Sequence, residues 1–173
     1  MPVAASFLER LLFNSAAIEA VSTLSSIWQL RADPDVRQFG LSLAEYRVQL
    51  CLIYTGEVGN GGHSQFFLNR PWRLVSDTID ALLTTGLPEL AATLRSAVAL
   101  FPIEHLPDDQ DEAERALDAL SADDLETLSK LDRRAFKLLP AVDNQLLSYL
   151  RENRSQVLLP ETPPGVRNGQ SIG

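Results

Sequence analysis

The side chains best suited to chemistry lie in one segment, EVGNGGHSQFFLN at residues 57–69. Its carboxylate, Glu57, could act as a general base, and the imidazole of His63 could bind a metal. A nucleophile elbow centred on Ser64 would need a second glycine two residues later and a strand before it, and neither is present. The segment therefore offers single reactive groups without a recognised catalytic arrangement.

Other catalytic and cofactor patterns are also missing from the sequence. No Gly-Lys-Ser/Thr follows the glycines, so they do not form a phosphate-binding loop. The two histidines, His63 and His105, lie 42 positions apart, and neither has a second ligand at a metal-binding spacing. Because Glu57 has no identified acid partner or pocket, we expect a protein that is not an enzyme and that binds no metal or cofactor.

A structural interpretation of the segment is a corner between two helices. Residues 60–62, Asn-Gly-Gly, tolerate positive φ and let the chain leave one helix and begin another at a sharp angle. Nearby polar side chains can bond the free amides and carbonyls of the two helix ends. The alternative is a small-molecule site, which requires a concave pocket beside the corner. Both interpretations concern the same residues: Glu57, Asn60, Gly61, Gly62, Gln65, Phe66, Phe67 and Asn69.

The rest of the sequence predicts an all-α protein, because leucine and alanine recur at three- and four-residue spacings and strand patterns are nearly absent. We expect a compact single-domain bundle of about seven to eight helices over residues 1–157, followed by a disordered tail at 158–173. Ser42 and Glu45 form a predicted capping box that opens a helix ending near Gly56. That helix is apolar almost all round, which favours a position at the centre of the bundle.

Prolines and acidic residues mark the helices that follow. Pro71 is predicted at the first position of a helix that runs to Thr85, and Pro88 opens the next one. Two helices with acidic first turns are predicted at about 108–120 and 121–139.

Cysteine usage and apolar runs bear on the compartment. The one cysteine, Cys51, lies in an apolar stretch, so we expect a core residue and not a nucleophile. A single unpaired thiol suits a reducing compartment, and neither a signal peptide nor a membrane-spanning run is evident. We therefore expect a cytoplasmic protein that does not bind membranes.

The negative charge of the chain is local. The net charge is −8, yet residues 104–126 alone carry ten acidic residues against one arginine, a net −9. The remainder sums to +1, and the overall sign argues against direct binding to nucleic acid. The acids proposed to form a partner-binding surface are Asp108, Asp109, Asp111, Glu112, Glu114, Asp118, Asp123, Asp124 and Glu126.

Two interpretations of this acidic block remain open. Acids in the first turn of a helix complement the helix dipole, and both groups of acids stand at predicted helix starts. Alternatively, carboxylates on two adjacent helices form a ridge that attracts a basic protein, with strong salt dependence. The near-neutral remainder of the chain favours a single binding face over charge on every side.

The segment at 57–69 also fits a pattern, E-x-x-N-G-G-x-x-Q-F-F-x-N, that resembles the signature of a bacterial domain-of-unknown-function family typified by an acidic DNA-mimic protein. The stretch LDRRAFKLLPAVDNQLLSYLRENR at 131–154 resembles that family's C-terminal pattern, an aspartate and an aromatic residue ahead of a closing helix, with Phe136 where a Phe-Tyr pair is often expected. The resemblance spans about 40–155. It implies a compact helical bundle that dimerises, and a type member that presents duplex-like charge to a DNA-binding regulator.

These observations lead to one expected function and one rival. We expect a noncatalytic, homodimeric interaction module whose surface at 104–126 binds a basic protein, such as a DNA-binding regulator. The rival is an immunity protein that neutralises a cognate toxin, since an acidic face can block a basic nuclease site.

Overall fold

A computed structural model describes residues 2–29, 40–102, 107 and 109–158. Every regular element in these residues is helical, so the all-α prediction is confirmed. Short 3₁₀ turns follow the seventh and eighth helices. The α-helices in the described part are α1 (Pro2–Asn14), α2 (Ala17–Gln29), α3 (Leu43–Asn69), α4 (Leu74–Thr84), α5 (Pro88–Val98), α6 (Gln110–Asp118), α7 (Ala122–Leu138) and α8 (Val142–Glu152).

Contacts divide the described residues into two compact units, one within residues 1–46 and 147–158 and the other within residues 47–146. In the first unit the predicted capping box is present. The Ser42 N–H donates to Glu45 Oε2 at 2.8 Å, and the Glu45 N–H donates to Ser42 Oγ at 3.2 Å. The other oxygen of Glu45 accepts from the Leu158 N–H at 2.6 Å. This buried carboxylate thus joins the start of α3 to the segment that follows α8.

In the second unit α5 packs against both α4 and α7. Pro88 stands at the start of α5, as predicted. The core of this unit includes Cys51, whose thiol lies 3.4 Å from Thr85 Oγ1. Burial, only partly offset by that hydrogen bond, raises the pKa of Cys51 to about 12, so the thiol is an unreactive core group.

Two predicted helix boundaries in this unit are wrong. The helix opened by Ser42 does not end near Gly56 but continues in helical geometry to residue 60. A glycine inside a helix costs only about 1 kcal/mol, and the burial of Val58 on the same turn offsets it. Pro71 lies in a turn before α4, because the indole of Trp72 is buried and its Nε1–H donates to the Phe67 carbonyl at 3.0 Å.

The acid-fronted helices begin close to their predicted positions. Asp109 is the N-cap of α6 and Ser121 is the N-cap of α7. Glu104, Asp108 and residues 159–173, which include nearly all of the predicted disordered tail, lie outside the described residues. Among the helices that are described, none has the length and apolar character that crossing a membrane requires.

Candidate functional site

The segment at 57–69 lies within α3, which turns sharply at its two glycines. Gly61 has φ −156° and ψ 23°, and Gly62 has φ 73° and ψ −171°, so helical geometry stops at residue 60 and resumes at residue 63. The positive φ of Gly62 is one that residues with a Cβ rarely adopt. The glycines therefore build a corner between two helical parts of α3.

Glu57 is the centre of the first polar cluster at this corner. Its Oε2 accepts from Gln65 Nε2 at 2.8 Å and from Asn69 Nδ2 at 2.9 Å, while its Oε1 accepts from Arg70 Nε at 2.7 Å. Burial alone would raise the pKa of Glu57, but the three hydrogen bonds and the charge of Arg70 outweigh burial and lower the pKa below its usual 4.5. The cluster ties the helical part before the corner to the part after it.

His63 is the centre of a second polar cluster, on the other side of the glycines. Asp132 Oδ1, from α7, accepts from the His63 backbone N–H at 2.8 Å and lies 2.6 Å from His63 Nδ1. Because a carboxylate oxygen accepts, this contact assigns the Nδ1 hydrogen to His63. His63 Nε2 lies 2.9 Å from the hydroxyl of Tyr54, which is also within 3.3 Å of Thr93 Oγ1. By accepting from the His63 backbone N–H, Asp132 caps the helical part that begins at His63.

The phenylalanines of the segment belong to an aromatic cluster. Phe66 packs edge-on against Tyr54 at 5.2 Å between ring centres, and Phe67 stacks on Trp72 at 4.6 Å. Phe101 contacts both Phe67 and Trp72 edge-on, at 5.0 and 4.8 Å. Such pairs add about 0.5–1.5 kcal/mol each beyond burial, so the cluster stabilises the corner.

These contacts define what the predicted site residues can do. Glu57, Gln65 and Asn69 are engaged with one another, and both ring nitrogens of the fully buried His63 have partners. Asn60 is exposed. Among the described residues no group of three His, Cys, Asp or Glu side chains could hold a metal ion. The arrangement joins the two helical parts of α3 and attaches the corner to α7.

A groove of about 190 Å³ lies beside the end of the segment. Its walls carry apolar side chains such as Phe67 and Trp72, and polar ones such as Arg73 and Asp109. Of the residues of the proposed small-molecule site, Phe67 and Asn69 line this groove, whereas Glu57, Asn60 and Gln65 do not. The groove instead connects the turn after α3 with the start of α6.

The predicted partner-binding acids differ in two respects, whether they cap a helix and whether they are exposed to solvent. Asp109 and Asp124 act in helix caps: Asp109 Oδ1 accepts from the Glu112 N–H at 2.9 Å, and Asp124 forms a capping box with Ser121. Glu112 and Asp124 are half-buried. The acids that are exposed are Asp109, Asp111, Glu114, Asp118, Asp123 and Glu126.

On α6 the exposed acids form one stripe. Asp111, Glu114 and Asp118 follow at i, i+3 and i+7, on the side opposite the buried Ala113 and Ala116. Three carboxylates over seven residues span about 10 Å, a length that carries roughly six phosphates in a DNA duplex. The stripe is therefore acidic at about half the density of duplex DNA.

Sequence reasoning did not single out Tyr54, Arg70 or Asp132 as members of the site. Arg70 is the first base after the segment, and a buried carboxylate needs a cation or several donors. The sequence near Glu57 therefore contained an indication of its pairing with Arg70. Asp132 lies 69 residues from His63, and its only signal was its place in the C-terminal pattern at 131–154.

Comparison with known proteins gives one match. The sequence profile of a family described as "DMP19-like protein" matches residues 40–153, more than half of the chain. That span contains both polar clusters and the acidic helices α6 and α7. No curated protein and no solved structure matches the chain.

Proposed function

The chain belongs to the DMP19-like protein family, and from this membership we propose that it is a cytoplasmic, noncatalytic interaction protein that binds a basic partner. The binding surface is the acidic stripe of α6 with the neighbouring acids at the start of α7. The partner class is a protein with a cationic binding face, for which a DNA-binding regulator is the leading candidate.

The observation that carries this proposal is the surplus of exposed acids over those that cap helices. Asp109 and Asp124 accept capping hydrogen bonds at the starts of α6 and α7, and Asp111, Glu112 and Asp123 lie in the first turns of these helices. Asp111, Glu114 and Asp118 are left on the solvent side of a helix only nine residues long. Asp111 lies in the first turn of α6, where its charge favours the helix dipole, whereas Glu114 and Asp118 lie beyond that turn. Like charges at such spacings repel by a few tenths of a kcal/mol per pair, so Glu114 and Asp118 do not serve the stability of α6. Attraction of a cationic surface is the role that we assign to these exposed acids.

The density of the stripe bears on the type of partner. With about half the charge density of a duplex, the stripe matches a basic face that contacts a few phosphates more closely than one that wraps a long DNA segment. Arg115 is exposed and flanks the stripe, which limits the reach of the negative field. Association is expected to weaken steeply as salt rises, because screening acts within about 10 Å at 0.1 M.

The experiment is a charge reversal on α6 in the full chain, Asp111→Lys with Glu114→Lys and Asp118→Lys. The matched control reverses three exposed acids elsewhere, Glu19, Asp80 and Glu152, and so changes the net charge equally. Wild type and both variants are used to capture proteins from the native host, followed by mass spectrometry.

The proposal expects a partner captured by wild type and by the control variant, and lost with the α6 variant. A partner retained by the α6 variant, or lost equally with both, would contradict it. A captured DNA-binding regulator supports the proposed function, and a captured toxin supports the immunity alternative.

A further inference from the structure

The second half of α7 carries a stripe of exposed bases. Its four members follow at i, i+3, i+4 and i+7 and therefore share one side of the helix: Lys130, Arg133, Arg134 and Lys137. That side is opposite Leu128 and Ala135, which are buried. Over seven residues these bases span about 10 Å, and we call them the α7 basic stripe.

The stability of the helix accounts for few of these bases. A base complements the helix dipole only in the last turn, and the last turn of α7 contains Lys137 alone. The other three bases lie earlier in the helix, where like charges three and four residues apart repel each other. The α7 basic stripe therefore has more positive charge than its helix requires.

Two members of the stripe have carboxylate partners, and both pairs are open to solvent. Lys130 Nζ lies 2.7 Å from Glu126 Oε1, and Arg134 Nη2 lies 3.4 Å from Glu89 Oε2. More than half of each of these side chains is exposed. Exposed pairs contribute little to stability, so both bases can exchange their partners for those of an incoming ligand.

The other two members, Arg133 and Lys137, lack a carboxylate partner among the described residues. Arg133 Nη1 donates to the uncharged Ser129 Oγ at 2.9 Å. Phe136, which lies beside both bases on the helix surface, is 42% exposed. Aromatic side chains and arginines are enriched together where proteins bind one another, so this end of α7 has the composition of a binding surface.

The acids at the start of α7 limit what the stripe can bind. Asp123 and Glu126 are exposed on the same side of the helix, two turns and one turn before Lys130. A nucleic acid presents negative charge far beyond 10 Å, so it would also meet these carboxylates. A short acidic segment of a protein can end where the stripe ends. Charge complementarity therefore favours the short segment over an extended polyanion.

We propose that the α7 basic stripe binds a short acidic segment of another protein. Carboxylates of that segment pair with the four bases, and an apolar side chain next to them packs on Phe136. The stripe shares no residue with the acidic surface of the proposed function, so either binding activity can exist without the other.

The test uses a fluorescein-labelled helical peptide with four glutamates at i, i+3, i+4 and i+7 and a leucine beside them. Its binding to the full chain is measured by fluorescence anisotropy, and a peptide with glutamine at the four positions is the control ligand. Wild type is expected to bind the acidic peptide at least about ten-fold more tightly than the glutamine peptide. This preference should shrink as salt rises, because the bases are exposed.

Substitutions in the chain locate the binding site. Arg133→Glu with Lys137→Glu is expected to weaken binding of the acidic peptide at least about ten-fold, because like charges then face each other. The matched control, Arg95→Glu with Arg115→Glu, changes the net charge equally at exposed positions outside the stripe and should bind like wild type. Phe136→Ser should weaken binding with no change in charge, because it removes the apolar contact.

The proposal is overturned if wild type does not prefer the acidic peptide, or if the stripe variant and the control variant lose binding equally. It is also overturned if a single-stranded oligonucleotide binds the stripe more tightly than the peptide does, since the occupant is then a nucleic acid. Circular dichroism checks the helices of each variant. If the charge-reversal variant unfolds, Arg133→Gln with Lys137→Gln replaces it, and unweakened binding then overturns the proposal.

Discussion

The carboxylate of Asp132 occupies the space in which a side chain on Gly62 would lie. A Cβ built on Gly62 would overlap both oxygens of that carboxylate. Gly62 also has a positive φ of 73°. The glycine is therefore required twice, for its backbone conformation and for the approach of α7 to the corner of α3.

Replacement of Gly62 is expected to destabilise the protein. Gly62→Ala places Ala at a positive φ, which costs about 1–2 kcal/mol, and displaces Asp132 from the His63 N–H, which costs about 1–3 kcal/mol more. Urea unfolding should show the loss. Gly56→Ala is the matched control: it lies in regular helix with nothing within 4 Å of its added Cβ, so it should be neutral or stabilise by up to about 1 kcal/mol. Equal effects of the two substitutions would contradict the account of the corner.

Stability is expected to fall with acid partly through Glu57. Its pKa is lowered in the folded protein, so its contribution is fully present above its usual 4.5 and is lost as pH falls through the lower folded value. Glu57→Gln should destabilise by about 2–3 kcal/mol at pH 7, because the bonds from Arg70 and Asn69 lose their charged acceptor. The difference from wild type should shrink below pH 4. A Glu152→Gln control, at an exposed position, should follow wild type throughout.

Loss of the Tyr54 hydroxyl should weaken the contact with His63. Tyr54→Phe leaves the buried His63 Nε2 without its partner, so we expect a loss of about 1–2 kcal/mol in unfolding free energy. Hydrogen exchange should report faster opening at the His63 amide, since this amide bonds to Asp132 in the same cluster. Unchanged exchange together with unchanged stability would mean that the two contacts are independent.

The two roles of acids at the start of α7 can be separated by substitution. Asp124→Asn weakens a capping box in which the Ser121 N–H and Oγ both contact Asp124 Oδ2, at 3.1 and 2.6 Å. It should lower stability by about 0.5–1.5 kcal/mol. Asp123→Asn, at the adjacent exposed position, should leave thermal stability within about 0.5 kcal/mol. If Asp123→Asn were the more damaging change, the assignment of Asp124 as the cap would be wrong.

Local patterns in the sequence predicted more of this structure than distant ones. The predicted box at Ser42 depends on residues three positions apart, so their spacing alone indicates a helix start, and the predicted start of a helix at Ser121 is also found. The helix does not end at Gly56 as predicted, because packing of the surrounding turn outweighs the low helix propensity of one glycine.

The site was less accessible to prediction because its central contact joins distant residues. Gly61 and Gly62 indicated a turn, yet nothing in their spacing showed that Asp132, 69 positions after His63, would cap the helix beyond it. The sequence shows that Asp111 is acidic, but it does not show that Asp111 is exposed and is not a capping residue. That distinction required the three-dimensional arrangement of α6.

The burial of Cys51 gives the protein a spectroscopic use. Because its thiol is the one cysteine of the chain, is enclosed in the core and has a pKa raised to about 12, it should not react with thiol reagents in the folded state. A Ser129→Cys substitution therefore introduces a single label near the middle of α7 without mutating the native thiol. The spectrum of a spin label there would report on α7 alone in the folded protein.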